Sequence, residues 1–127
     1  MLAVDTNVVV RLLVNDDPRQ ATQARRLFES DEIWIGVTVL LECAWVLESV
    51  YELPAADAAS ALRGLLGLPN VQVEDAIAVA AALDAAEAGI ELADALHLTR
   101  APAESVFITF DRALAKSGKT IRPTRLA

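Results

Sequence analysis

The chain opens Leu2-Ala3-Val4-Asp5-Thr6-Asn7-Val8-Val9-Val10, and the reading of this stretch decides the fold. Asp5 is the only charge in the first ten residues. A short apolar run ending in Asp-Thr-Asn is the pattern of a buried strand that stops, followed by a helix whose first turn Thr6 or Asn7 can cap. In open α/β sheets ligands bind at that edge, the carboxyl end of a strand. Taken alone, Asp5 reads equally well as a plain helix cap.

Three further acids stand in the same setting. Glu42 is the only charge between Ile33 and Leu47, Asp94 lies within Ile90–Leu98, and Asp111 follows Val106-Phe107-Ile108-Thr109-Phe110. Carboxylates are almost never buried without a partner, because desolvating them costs several kcal/mol or shifts their pKa. Their recurrence in apolar surroundings suggests a shared cation.

Working outward, Thr6–Val14 reads as a short helix and Pro18 as the first turn of a second one, running on from Arg19 to Ser30. Glu32–Ile35 reads as a strand. Thr38 is placed to cap a long helix through Leu53, and Ala55–Leu68 makes the next. Val71–Val73 is a brief strand. Asp75 caps an alanine-rich helix closed by Gly89, and Leu92–Ala101 is a helix stopped by Pro102. Val106–Thr109 is a strand, Asp111–Ser117 a helical turn and Thr120–Arg122 a last short strand. Short apolar strands alternating with helices, βααβααβααβαβ, predict an α/β protein with a parallel sheet covered on both faces. On this map all four acids can reach the carboxyl edge of the sheet. Oxygen ligands without Cys or paired His suit a hard cation, Mg²⁺ or Mn²⁺.

The 127 residues suit a single domain, 1–127, large enough for a core without staples. No apolar run approaches the roughly 20 residues that span a bilayer, and the start lacks the features of a signal peptide. The single cysteine, Cys43, cannot form an internal disulfide and reads as a small core residue, which suits a reducing cytoplasm. The 54% apolar content hints at an oligomeric surface. A net charge of −7 argues against a general nucleic-acid binder, but the charge is unevenly spread. Residues 31–91 hold eleven acids and one base, whereas residues 92–127 hold three acids and six bases. That basic end is either a solvated face or a rim for phosphates.

With these residues in hand the chain resembles the PIN-domain ribonucleases, specifically the VapC-type toxins of bacterial toxin–antitoxin pairs. The likeness rests on Val4-Asp5-Thr6-Asn7, on Leu40-Leu41-Glu42 with Trp45-Val46-Leu47, on Ala93-Asp94-Ala95-Leu96-His97-Leu98, and on Thr109-Phe110-Asp111-Arg112 with Leu114. Each motif is weak alone; their order and spacing over nearly the whole chain are specific. The resemblance implies a three-layer α/β/α sandwich with a short-stranded central parallel sheet. It implies an Mg²⁺- or Mn²⁺-dependent endoribonuclease leaving 5′-phosphate and 3′-hydroxyl ends, acting in the cytoplasm. It also implies a homodimer and neutralisation by a cognate VapB-type antitoxin.

Carried over residue by residue, Asp5 and Asp94 would be direct metal ligands, with Glu42 and Asp111 completing the catalytic acid set. Thr6, Asn7 and Thr109 would orient these carboxylates. Glu91 would be an auxiliary acid or a solvated residue. Arg112 and Lys116 are the candidates for contact with the RNA backbone. His97, Trp34 and Trp45 read more readily as packed residues than as catalytic or base-stacking ones. Rival readings are a non-catalytic interaction module on the same fold and a phosphoryl-accepting receiver-like domain. The receiver needs adjacent acids after strand one, where Asp5 is followed by Thr6; a dehalogenase-like phosphatase needs a second Asp where Asn7 stands.

Overall fold

Strands β1 (Leu2–Ala3), β2 (Ile33–Ile35) and β3 (Val71–Val73) pair in parallel in the order β1-β2-β3. Leu2 lies opposite Ile33, and Ile33 opposite Val71. A computed structural model describes all of residues 1–127. Parallel neighbours need long crossovers, and helices supply them. Helices α1 (Thr6–Leu13) and α2 (Pro18–Ser30) connect β1 to β2, and α3 (Val37–Ser49) and α4 (Ala55–Leu66) connect β2 to β3. Then come α5 (Ala76–Glu87), α6 (Leu92–Arg100), β4 (Phe107–Thr109), α7 (Arg112–Ser117), a 3₁₀ turn (Gly118–Thr120) and β5 (Thr124–Leu126). The architecture is the three-layer α/β/α arrangement, and every strand pair is parallel. No helix is long and apolar enough to cross a membrane.

One cluster of buried side chains runs from Val4 to Leu96 through the sheet and helices α1 to α6. Ile33 and Ile35 are fully buried on the central strand, against Val9, Leu40, Leu47, Leu62 and Leu83 from four helices. Each such side chain contributes about 1.5–3 kcal/mol on leaving water. The small residues Ala82, Ala86 and Ala95 are buried where α5 packs on α6. Gly89, at φ 112°, turns the chain between these helices, a conformation that side-chain-bearing residues rarely adopt.

Several expectations are corrected. β1 is two residues long and exposed at both, not buried, because it is the edge strand and only β2 pairs with it. The strands form two hydrogen-bonded sets: β4 and β5 pair with each other, Ile108 opposite Arg125, and with no other strand. The last strand lies at Thr124–Leu126 instead of Thr120–Arg122, because Arg122 is committed elsewhere. Its guanidinium donates to the carbonyls of Leu98 and, at 2.6 Å, Pro102, and to Ser105 Oγ at 3.1 Å. This ties the loop after α6 to the approach of β5.

Helix α3 begins at Val37, with Gly36 as its cap position, so Thr38 lies too far in to cap it. The Val37 N–H is taken instead by Glu74 Oε1 at 2.9 Å, a carboxylate just past β3. The same helix stops at Ser49, short of Leu53. The carbonyls of Val46 and Leu47 accept from Tyr51 and Leu53 across a wide turn, with Glu52 at φ 57°. A glutamate in that left-handed conformation carries none of the signal a glycine would. Asp75, also left-handed at φ 54°, makes no side-chain cap and pairs with Arg100 at 3.1 Å.

Candidate acidic site at the sheet edge

The site is built from the turn between β1 and α1. Asp5, not Thr6 or Asn7, is the N-cap of α1, its Oδ1 accepting from Val8 N–H at 3.3 Å. Capping uses one carboxylate oxygen and leaves the other without a hydrogen bond. The helix start then turns Thr6 inward, where it is only 8% exposed. Its hydroxyl donates to Glu42 Oε1 across from α3. Thus a residue buried because it opens a helix positions a carboxylate thirty-six residues away in the chain.

Cys43, fully buried beside Glu42, points its Sγ at the Thr6 carbonyl, 3.8 Å away. Burial, followed by the negative fields of Glu42 and Asp5, pushes this thiol up to about 12. It is therefore a neutral packing residue at neutral pH, and its two perturbing acids face one neighbourhood. The core reading of Cys43 holds.

Asp94 lies half-buried in the first turn of α6, with no ion pair and no side-chain hydrogen bond. Its neighbour Ala93 shares with Glu42, Thr38, Leu41 and Trp45 a depression of about 430 Å³. Asp111 is the N-cap of α7, Oδ1 accepting from Leu114 N–H at 3.0 Å, while its own N–H donates to Thr109 Oγ1 at 3.0 Å. None of these four acids is paired with a base; the ion pairs are Arg11–Asp16, Arg63 with Asp84 and Glu87, and Arg100–Asp75.

The structure brings together some of the four acids and not others. Asp5 and Glu42 come together around Thr6 and Cys43, but no three Asp, Glu, His or Cys side chains stand within reach of one ion. Two of the four are also helix caps, the plainer role that Asp5 allowed from the start. Asn7 is exposed and lines a separate depression between α1 and α2, with Val8, Arg11 and Gln20. Glu91 stands near Glu48, on a groove of about 280 Å³ that Leu41, Ala44, Trp45 and Leu92 also line. The Glu48 carboxyl is pushed up by partial burial and then by Glu91.

Two packing expectations fail. Trp45 is 64% exposed, because the buried stripe of α3 is Leu40, Cys43, Ala44 and Leu47 and the indole falls beside it. His97 is exposed without a hydrogen bond, off the buried stripe of Leu92, Ala95, Leu96 and Leu98. Trp34 is half-buried. Reading the sequence missed Glu74 as a cap and Arg122 as a tie, since neither has a local signal. It also missed the exposure of Phe110, which the alternation Val106, Ile108, Phe110 on one face of a strand could have revealed.

The donor set can be tested against a hard cation. Mg²⁺ usually keeps several waters and is held by one or two carboxylates with substrate phosphates, not by an all-protein cage. Asp5 and Glu42, two base-free carboxylates that both act on the Cys43 thiol, fit that mode and do not make a closed cage.

Short parallel strands between helices, with unpaired acids where β1 gives way to α1 and on the helix after β2, define an α/β/α domain with an acidic sheet-edge site. The sequence matches the PIN domain family over residues 2–119, and the chain belongs to that family. Comparison with curated proteins and with solved structures finds no match in either.

Proposed function

We propose that this chain is a metal-dependent endoribonuclease and the VapC-type toxin of a type II toxin–antitoxin pair. The observation that carries the reading is the Asp5–Thr6–Glu42 arrangement: two carboxylates free of any base, one of them held by a buried hydroxyl, in a PIN-family chain. Asp5 and Asp94 would hold Mg²⁺ or Mn²⁺. When bound, such an ion neutralises phosphate oxygens and lowers the pKa of water. The chain's own residues supply orientation and proton handling. Thr6 fixes one oxygen of Glu42, leaving Oε2 free to accept a proton from water, and Asp111 keeps one oxygen free in the same way. Arg112 and Lys116, exposed on α7 and without ion-pair partners, would face the RNA backbone.

For the partner, we propose a VapB-type antitoxin. The groove between Trp45, Glu48 and Glu91 supports docking of an apolar segment that also carries a basic side chain, since an Arg there could stack on the indole and pair with a carboxylate. We also propose a homodimer, supported by the exposed apolar side chains Trp45, Val50 and Ile77.

The test is incubation of the purified protein with total RNA and with separate tRNA and rRNA pools, in Mg²⁺, Mn²⁺ or chelator. Cleavage only with the cation, leaving 5′-phosphates, supports the reading. Ends carrying a 2′,3′-cyclic phosphate would reject it, because they signal attack by the RNA's own 2′-hydroxyl. One observation favours a second reading, a non-catalytic module: two of the acids serve as caps and no three group together. Melting curves separate the two, since a module without a cation site gains no stability from Mn²⁺.

A further inference from the structure

Phe110 is 89% exposed, the most exposed aromatic of the chain, and no packing contact accounts for it. Its neighbours are pinned on both sides. Thr109 belongs to β4 and bonds the Asp111 N–H, and Asp111 caps α7. The ring therefore projects from a fixed backbone at the carboxyl end of β4, beside one of the candidate acids.

The surroundings say what kind of partner the ring can meet. Val106, Ile108 and Phe110, at alternate positions along β4 and its two flanks, are all exposed, and Arg125 lies opposite Ile108 on β5. Arg112, Lys116 and Lys119 follow within ten residues, all exposed and without ion-pair partners. From Phe107 to the end there is one acid, Asp111, against five bases. The other exposed aromatic near the acids, Trp45, has the opposite setting, with Glu42, Glu48 and Glu91 around it and no base. Phosphates are repelled at Trp45 and attracted at Phe110.

We propose that the Phe110 ring is the platform on which one base of the RNA strand stacks, making it a positioning residue that sets the strand's register against the acids. The inference rests on the nuclease reading. Stacking on an aromatic ring is tolerant of base identity, so the ring fixes register without dictating sequence.

The test uses a fluorescein-labelled single-stranded RNA in Mg²⁺, with the whole chain carrying Asp94→Asn so that the strand is not cut. Affinity is read by anisotropy across a salt series. Phe110→Ala should bind about tenfold more weakly or worse, while Phe110→Trp stays within about twofold of the parent. The salt slope should be unchanged in Phe110→Ala, since the ring carries no charge. Replacing Arg112 and Lys116 by Gln should instead flatten it by about 0.7 for each phosphate that is no longer neutralised. In the cutting protein, Phe110→Ala should raise KM and also lower kcat, because the bound strand is no longer held in register with the acids.

Parental affinity in Phe110→Ala, or equal losses in the Ala and Trp variants, would overturn the proposal. So would a change of sedimenting mass in Phe110→Ala with RNA affinity intact, which would make the apolar face a protein interface. If the wild-type chain binds no RNA either, with Mg²⁺ or with chelator, the nuclease reading falls and takes this proposal with it.

Discussion

The Thr6–Glu42 hydrogen bond offers the sharpest test of the site. Thr6→Val keeps the side-chain shape and replaces the hydroxyl by a methyl, and Glu42→Gln keeps the acceptor carbonyl while removing the charge. A hydrogen bond to a charged group contributes about 1.5–3 kcal/mol. Here the donor is 8% exposed, but Glu42 lies at the surface, where water can replace the lost partner. The lower end applies, so Thr6→Val should cost about 1–1.5 kcal/mol. For a chain of this length that is a fall in Tm of roughly 3–6 °C.

Glu42→Gln should cost less, because the amide oxygen still accepts. Unfolding in urea, with chelator present, of wild type, both single variants and the double variant gives the coupling energy, expected near 1 kcal/mol. A coupling below about 0.3 kcal/mol, the scatter of independent sites, would mean that Thr6 does not hold Glu42 and would remove the basis for its role. The same cycle in RNA cleavage adds a second reading. Thr6→Val should slow cleavage beyond what lost stability explains, because Glu42 would no longer be oriented.

Asp5→Asn and Asp94→Asn should each abolish cation-dependent RNA cleavage and reduce the Mn²⁺-induced stabilisation, which for wild type should reach about 2.7 kcal/mol at a hundredfold excess over Kd; unchanged Mn²⁺ shifts in calorimetry would refute the ligand assignment. Cys43 should resist alkylation of the folded protein at pH 8, since its thiol is held near 12 from an ordinary 9.0. The fold favours the protonated thiol, so this contribution is complete below about pH 9 and is lost at up to about 1.4 kcal/mol per pH unit as pH rises toward 12. Cys43→Ala should flatten the alkaline limb of the urea stability profile, and an unchanged limb would contradict the assignment. Arg122→Ala leaves the Leu98 and Pro102 carbonyls without their donor and should cost about 2–3 kcal/mol. Hydrogen exchange should show the loss concentrated in β4 and β5; protection lost evenly across the chain would argue against a local tie.

The order of strands and helices was legible in the sequence because its signals act over one or two turns of chain. Pro18 opens α2 behind the capping carboxylate of Asp17, whose Oδ1 accepts from Gln20 N–H at 3.1 Å. Gly89 supplies the positive φ between α5 and α6, and the apolar runs at 33–35 and 71–73 make the central strand and its neighbour. The four acids stood out as candidates in the sequence because each lies in or directly after an apolar stretch. Their arrangement was not legible there. Glu42 meets Thr6, Glu74 caps α3 and Arg122 binds Leu98 only once the helices are docked, across 36, 37 and 24 residues of sequence. Such partners leave no periodic mark, because any carboxylate or guanidinium with free surface could have made the bond. Tertiary packing likewise decided that Trp45 faces water, since exposure depends on which neighbours arrive and not on the side chain's own preference.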